Sequence, residues 1–268
     1  MSVVTTPSVL LRSFNYSETS QILRFYTLDL GLIGVMAKGV RRGSFQGRSS
    51  LNTFSRGDLT VYVKSTRDLQ TFKEFNIREG GQSLGRDVLR FTAASVLAEL
   101  VLTHAESEPG REIFECLTKG LKKLENVESE GVGLSLLSEG WLLVSLLGYK
   151  PQLDACVKCK DRIGTTERVQ FDFEYGGIVC SNCSNNMSGS LEDCSLFEEL
   201  RALLNGSRET PVRDIRSHLQ LLNDFTLYHI TGSKGLRSFR FFTSLMSFES
   251  RSFSNDDDPG FLTGEDIE

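Results

Sequence analysis

Apolar and polar positions change period once along this chain, near Leu84. Before it the pattern has a period of two. Val9–Phe14 is a short apolar run, Gln21–Thr27 roughly alternates, Leu32–Ala37 follows the turn signal Asp29-Leu30-Gly31, Leu59–Lys64 alternates cleanly, and Leu69–Ile77 closes a hairpin. Five short strands with turns between them predict a small closed barrel over residues 1–80. Beyond Leu84 the period is helical. Asp87–Glu106 places Leu89, Ala93, Val96 and Leu100 on one face. Pro109 stands at a favoured first-turn position for a helix over Gly110–Leu124. A third helix, Leu134–Leu147, holds the single Trp and stops at Gly148-Tyr149-Lys150-Pro151. Further helices are predicted over 193–204, 211–230 and 237–247. Residues 251–268, rich in Ser, Asp and Gly, read as a disordered acidic tail.

Between the helical stretches, over residues 154–190, lie Cys156-Val157-Lys158-Cys159 and Cys180-Ser181-Asn182-Cys183. Two such pairs at this separation have the spacing of a four-thiolate zinc site, each pair on a tight turn. With all four positions filled by protein, none is left for water or substrate, so Zn²⁺ there is structural and a zinc hydrolase is disfavoured. Disulfides would need an oxidising compartment, and Met1–Phe14 shows no secretory signal. A redox CxxC would need a βαβ context that these Gly/Asn/Ser-rich flanks do not supply. Cys116 and Cys194 sit in apolar stretches and read as small buried hydrophobes.

The 268 residues allow one large or two to three small domains, and 39% hydrophobic with 24% charged residues is an ordinary composition for a soluble chain. No apolar stretch approaches a membrane span, so no membrane partner and a cytoplasmic location are expected. The net charge of −5 hides an asymmetry. Residues 1–80 carry 11 Lys and Arg against 6 acids, whereas six acids and no base follow Arg251. Basic residues concentrate in Lys38-Gly39-Val40-Arg41-Arg42-Gly43-Ser44 and Arg48, a Gly/Ser-rich connection that can follow phosphates without reading bases. Phe14, Phe25, Tyr26, Phe45, Phe54, Tyr62, Phe72 and Phe75 are stacking candidates, of which half or more must fill the barrel. His104, His218 and His229 are scattered, no acid pair or nucleophile elbow appears, and Gly232-Ser233-Lys234-Gly235 lacks phosphate-loop spacing. The chemistry points to a binding protein and not an enzyme.

The order of several short segments resembles the bacterial RecO recombination-mediator family over residues 5–247. These are Glu18–Leu23 with Thr27 and Gly31-Leu32, the Lys38–Arg42 loop with Ser44, Glu139 before Leu147–Leu153 and Cys156/Cys159, Gly176–Cys183, and Lys234–Ser238. The loop after Arg42 is less basic than the family pattern, and the acidic tail lies outside it. The resemblance implies an α+β multidomain protein: an N-terminal OB-fold barrel (1–80), a helical domain in two parts (81–153 and 191–250) and an inserted zinc ribbon (154–190). It implies binding to single- and double-stranded DNA, annealing of complementary strands, and help in loading a RecA-type recombinase onto DNA coated by single-strand-binding protein. The implied partners are RecR and the C-terminal tail of that coating protein, with a nucleoid-associated location. Phosphate contacts are expected from Lys38, Arg41, Arg42 and Arg48, with Arg12, Arg24 and Lys64 as secondary candidates. The competing readings are a zinc-ribbon scaffold that binds protein without DNA, and a metal-dependent nuclease, which the lack of a carboxylate cluster disfavours.

Overall fold

The structure is a computed structural model that describes residues 2–40, 51–104, 109–164, 167–185, 192–206 and 211–252. Its first five strands are β1 (Ser2–Asn15), β2 (Gln21–Thr27), β3 (Gly31–Ala37), β4 (Arg56–Val63) and β5 (Leu69–Glu79). They close a barrel in the order β1-β2-β3-β5-β4, with β4 returning to β1. β1 is longer than its apolar run because it serves two partners. Ser2–Val9 pairs with β4, and Ser8–Asn15 pairs with β2. Closure therefore makes a strand of Ser2–Pro7, which has no apolar alternation of its own.

Alternation divides the barrel residues between two cores. Leu10, Leu23, Phe25, Val35, Ala37, Leu59, Val61 and Phe75 point inward and fill the barrel. Val9, Leu11, Tyr26, Leu32 and the adjoining Phe54 face outward and join the core of the helical body. A bulge between Leu10 and Arg12 shifts the register on β1 and sets Arg12 opposite Arg24. Gly57 accommodates a second irregularity, since a Cβ there would lie 2.1 Å from the Asn76 carbonyl oxygen.

The helical body comprises α1 (Gln82–Arg86), α2 (Val88–His104), α3 (Arg111–Asn126) and α4 (Val132–Leu146). It continues, after the cysteine module, with α6 (Cys194–Leu204), α7 (Ile215–Thr226) and α8 (Arg237–Ser252). The module contributes β6 (Arg168–Asp172), β7 (Gly177–Cys180), the short α5 (Ser181–Ser184) and β8 (Glu192–Asp193), in the sheet order β7-β6-β8. Two helical expectations shift. Pro109 lies outside α3, whose N-cap is Gly110 in extended backbone; the chain passes the barrel there, and a Cβ at residue 110 would come 2.9 Å from the Tyr26 hydroxyl. The helix expected over 211–230 is α-helical only to Thr226 and then widens into a π-turn, Leu227–Thr231. The tail expected to be disordered over 251–268 overlaps α8, which runs to Ser252; residues 253–268 lie outside the described ones, as do the last residues assigned to the module, 186–190.

Barrel and helices are joined by polar as well as apolar contacts. Arg56, 7% exposed, donates to Glu79 at 2.7 Å from the barrel side and to Glu125 at 2.5 Å on α3. Cys116 and Cys194 are buried, as read. No helix among the described residues is long and apolar enough to cross a membrane.

Candidate metal centre and nucleic-acid interface

The first cysteine pair sits on a turn, Cys156–Cys159, closed by the Lys160 amide donating to the Cys156 carbonyl at 2.9 Å. The second pair differs from the expected turn: Cys180 ends β7 and Cys183 lies within α5. Backbone pairing brings the two together. The Val157 amide donates to the Ile178 carbonyl at 2.9 Å, and Gln152 pairs with Gly177, where a Cβ would lie 2.4 Å from the Gln152 carbonyl oxygen. All four Sγ atoms lie within 4.8 Å of one another, and those of Cys159 and Cys180 are 3.8 Å apart. A tetrahedral ion with metal–sulfur bonds of about 2.3 Å spaces its sulfurs by about 3.8 Å. The cysteines are free, and a disulfide would need about 2.05 Å. Four thiols at this separation are positioned to hold a metal ion.

Local electrostatics favour a thiolate at one ligand. Burial alone would raise the Cys156 thiol, but the backbone amides of Cys159, Cys180 and Lys158 and the Cys159 side chain hold it at about 6. Crowding acts in the opposite sense elsewhere: the Cys183 thiol is raised, chiefly by its hydrogen bond with Cys180. A divalent ion held by the four sulfurs would relieve that conflict by offsetting part of their charge.

Beneath the sulfurs, β6 is buried against the helices. Phe171 stacks on Phe197 with centroids 5.8 Å apart and meets Phe225 edge-on at 6.0 Å. Val169, Ile178 and Leu153 belong to the same core as Trp141 and Leu222. Arg201 of α6 bonds the Leu153 carbonyl and pairs with Asp154 at 3.1 Å.

Two described barrel cations stand together on the wall, whereas Arg56 is held in the seam by Glu79 and Glu125 and Arg78 pairs with Asp58. Arg12 and Arg24 are cross-strand neighbours, and Arg24 is paired in turn with Gly34. A Cβ on Gly34 would lie 3.3 Å from the Arg24 guanidinium and 2.7 Å from Leu69, so the absent side chain leaves room for Arg24 beside the β4–β5 turn. That turn carries exposed Lys64 and Arg67. Phe14, Ile22 and Met36 form the next row on the same face, with Arg12 over the Phe14 ring at 4.8 Å. Lys38 is exposed just past β3. Arg41, Arg42, Arg48 and Phe45 lie outside the described residues.

Fewer aromatic candidates fill the barrel than expected: Phe25 and Phe75 do, with Phe72 packed against them, whereas Tyr26 and Phe54 are buried against the helices. Phe25, Tyr26, Phe54 and Phe75 are buried, while Phe14 is 43% exposed and Tyr16, beside it in the β1–β2 turn, is 65% exposed. Sequence reading missed Tyr16 and Arg67, although both stand in turns bounded by legible strands. The histidines are engaged in structure: His218 is buried 3.0 Å from Glu199, and His104 meets the Tyr149 hydroxyl at 2.6 Å.

The fold and site define a class: an OB-like barrel fused to a helical body that carries four thiols positioned to hold a metal ion. The chain belongs to the RecO family, because family models for the N-terminal and C-terminal parts of Recombination protein O match residues 1–80 and 85–237. It is similar to the DNA repair protein RecO of Rubrobacter xylanophilus, with 31% identity over 186 residues covering 69% of this chain and 73% of that one. The DNA repair protein RecO of Rhodopirellula baltica is 32% identical over 202 residues, 72% of this chain and 73% of its own. That of Desulfatibacillum aliphaticivorans is 29% identical over 262 residues, 91% and 98% of the two chains.

Proposed function

We propose that this protein is a recombination mediator in DNA repair, and that its barrel face binds single- and double-stranded DNA through the phosphates. One observation carries the reading: Arg12 and Arg24 stand side by side on the barrel wall, next to a turn bearing Lys64 and Arg67, in a chain of the RecO family. Lys38, Arg41, Arg42 and Arg48 extend that surface in this reading. Cations arranged there draw two polyanions together and lower their mutual repulsion, so complementary strands pair without a nucleoside triphosphate. The protein would act without catalysis, with RecR, on DNA coated by single-strand-binding protein, whose C-terminal tail it recognises, and would hand that DNA to a RecA-type recombinase. The work would be done in the cytoplasm, at the nucleoid.

Zn²⁺ is the ion we assign to the thiol cluster, since four sulfur donors at tetrahedral spacing match its preference. Its task is to brace the module, within a division of the chain into barrel (1–80), helical body (81–153 and 191–250), zinc module (154–190) and tail (251–268).

The test is Lys38→Ala/Arg41→Ala/Arg42→Ala in a titration of oligonucleotide binding against salt. Each lost phosphate contact lowers the slope of log K against log[salt] by roughly one unit, so a fall of about three is expected. An unchanged slope and affinity would sink the assignment and favour the scaffold that binds protein alone.

A further inference from the structure

Where the cysteine module meets the helices, two tyrosine rings stand outside every core. Tyr228, on the π-turn, is 55% exposed, and Tyr175, in the turn between β6 and β7, is 59% exposed. The two turns are seated on each other. Phe173 lies 6.5 Å from Tyr228, and His229 lies 5.0 Å from Tyr228 and 4.4 Å from the buried Phe225. Gly176 lies against the same histidine, where a Cβ would be 3.5 Å from its Nε2. The site is therefore framed by two rigidly packed turns, one of them a π segment of the kind that recurs at functional positions.

Two lysines stand on segments that adjoin these turns. Lys150 is exposed two residues before Gln152, whose amide donates to the Gly176 carbonyl at 2.9 Å. Lys234 is exposed on the turn that follows the π segment, and a Cβ on neighbouring Gly235 would lie 3.4 Å from Leu227. Glu174 is the acid in the β6–β7 turn. None of these three charges has an ion-pair partner among the described residues, so the lysines are free to meet an anion.

We propose that Tyr175 and Tyr228 form a stacking platform for the bases of a single-stranded nucleic acid, with Lys150 and Lys234 holding its phosphates. Base stacking on exposed rings beside cations is tolerant of sequence, as a mediator of arbitrary strands requires. The proposal rests on the DNA-binding reading of the barrel and extends it. One molecule would hold one strand on its barrel and a second on this platform, none of whose residues belongs to the barrel.

The experiment uses the full chain and two probes of equal length, a dT oligonucleotide and an abasic oligonucleotide with the same backbone. Tyr175→Ala/Tyr228→Ala should weaken dT binding roughly tenfold and leave abasic binding unchanged, because only bases stack. Tyr175→Phe/Tyr228→Phe should bind as the parent does, since rings are retained. Lys38→Ala/Arg41→Ala/Arg42→Ala should weaken both probes alike. If the alanine pair binds dT as tightly as the parent while the triple variant is impaired, the platform is overturned, the rings are left to a protein partner, and the barrel reading survives. If the parent binds neither probe, both readings fall.

Discussion

The barrel and the cysteine module solve the same problem, holding short strands together, by opposite means. The barrel fills itself with eight buried apolar side chains and closes its own hydrogen-bond ladder. The module has an inner cluster of only Cys156, Val157, Val179 and Cys180, and its other face is buried against helices. Self-sufficiency frees the outer wall of the barrel to carry charge. The module has no such core of its own, and its four cysteines are drawn together where that core is thinnest. On the proposed reading its conspicuous chemistry is structural, and arginines and lysines of the barrel do the binding.

Removing one thiol tests that contrast most severely. Cys159→Ser should reduce bound metal from about one equivalent to near none and abolish amide protection across β6 and β7, while β1–β5 keep theirs. Elemental analysis with hydrogen exchange reads both, and equal loss in the barrel would erase the distinction. Next, Phe171→Ala should cost about 3–5 kcal/mol in urea unfolding through the cavity beneath the sulfurs. Of comparable size is Arg56→Ala, about 3 kcal/mol, because it strands Glu125 in the seam; Arg56→Met/Glu125→Leu should be milder.

Asp214 lies in neither region and sets the scale for a purely local effect. It caps α7 by accepting from the Ser217 hydroxyl at 2.6 Å and from the amides of Ser217 and Arg216, which hold its carboxyl below the ordinary 3.8. Asp214→Ala should cost at most about 1 kcal/mol. Because the folded-state pKa is depressed, the charged cap contributes fully above pH 3.8 and fades as pH falls through the acid range below it. Thermal melts of parent and variant should converge there.

Legibility followed the number of faces an element buries. β2 was readable at its own limits because one side of it meets the barrel interior and alternation survives. β6 and β7 escaped notice because stretches of five and four residues with nearly every position buried carry no period. The first half of β1 was invisible for the opposite reason, its Thr and Pro being organised only by β4. The thiol site was readable because spacing along the chain encodes it. The Arg12–Arg24 pairing was not, since it depends on a one-residue bulge. Arg56 resembled any other basic residue until burial set it between two carboxylates.

The way the barrel closes has a practical consequence at the bench. Ser2 is zipped to Val63, the residue before Lys64, so anything fused to the amino end emerges beside the hairpin that borders the charged wall. On the proposed DNA-binding reading, an affinity handle placed there should crowd incoming oligonucleotides and depress measured association. Cleaving it off should then tighten DNA titrations while leaving the melting temperature unchanged.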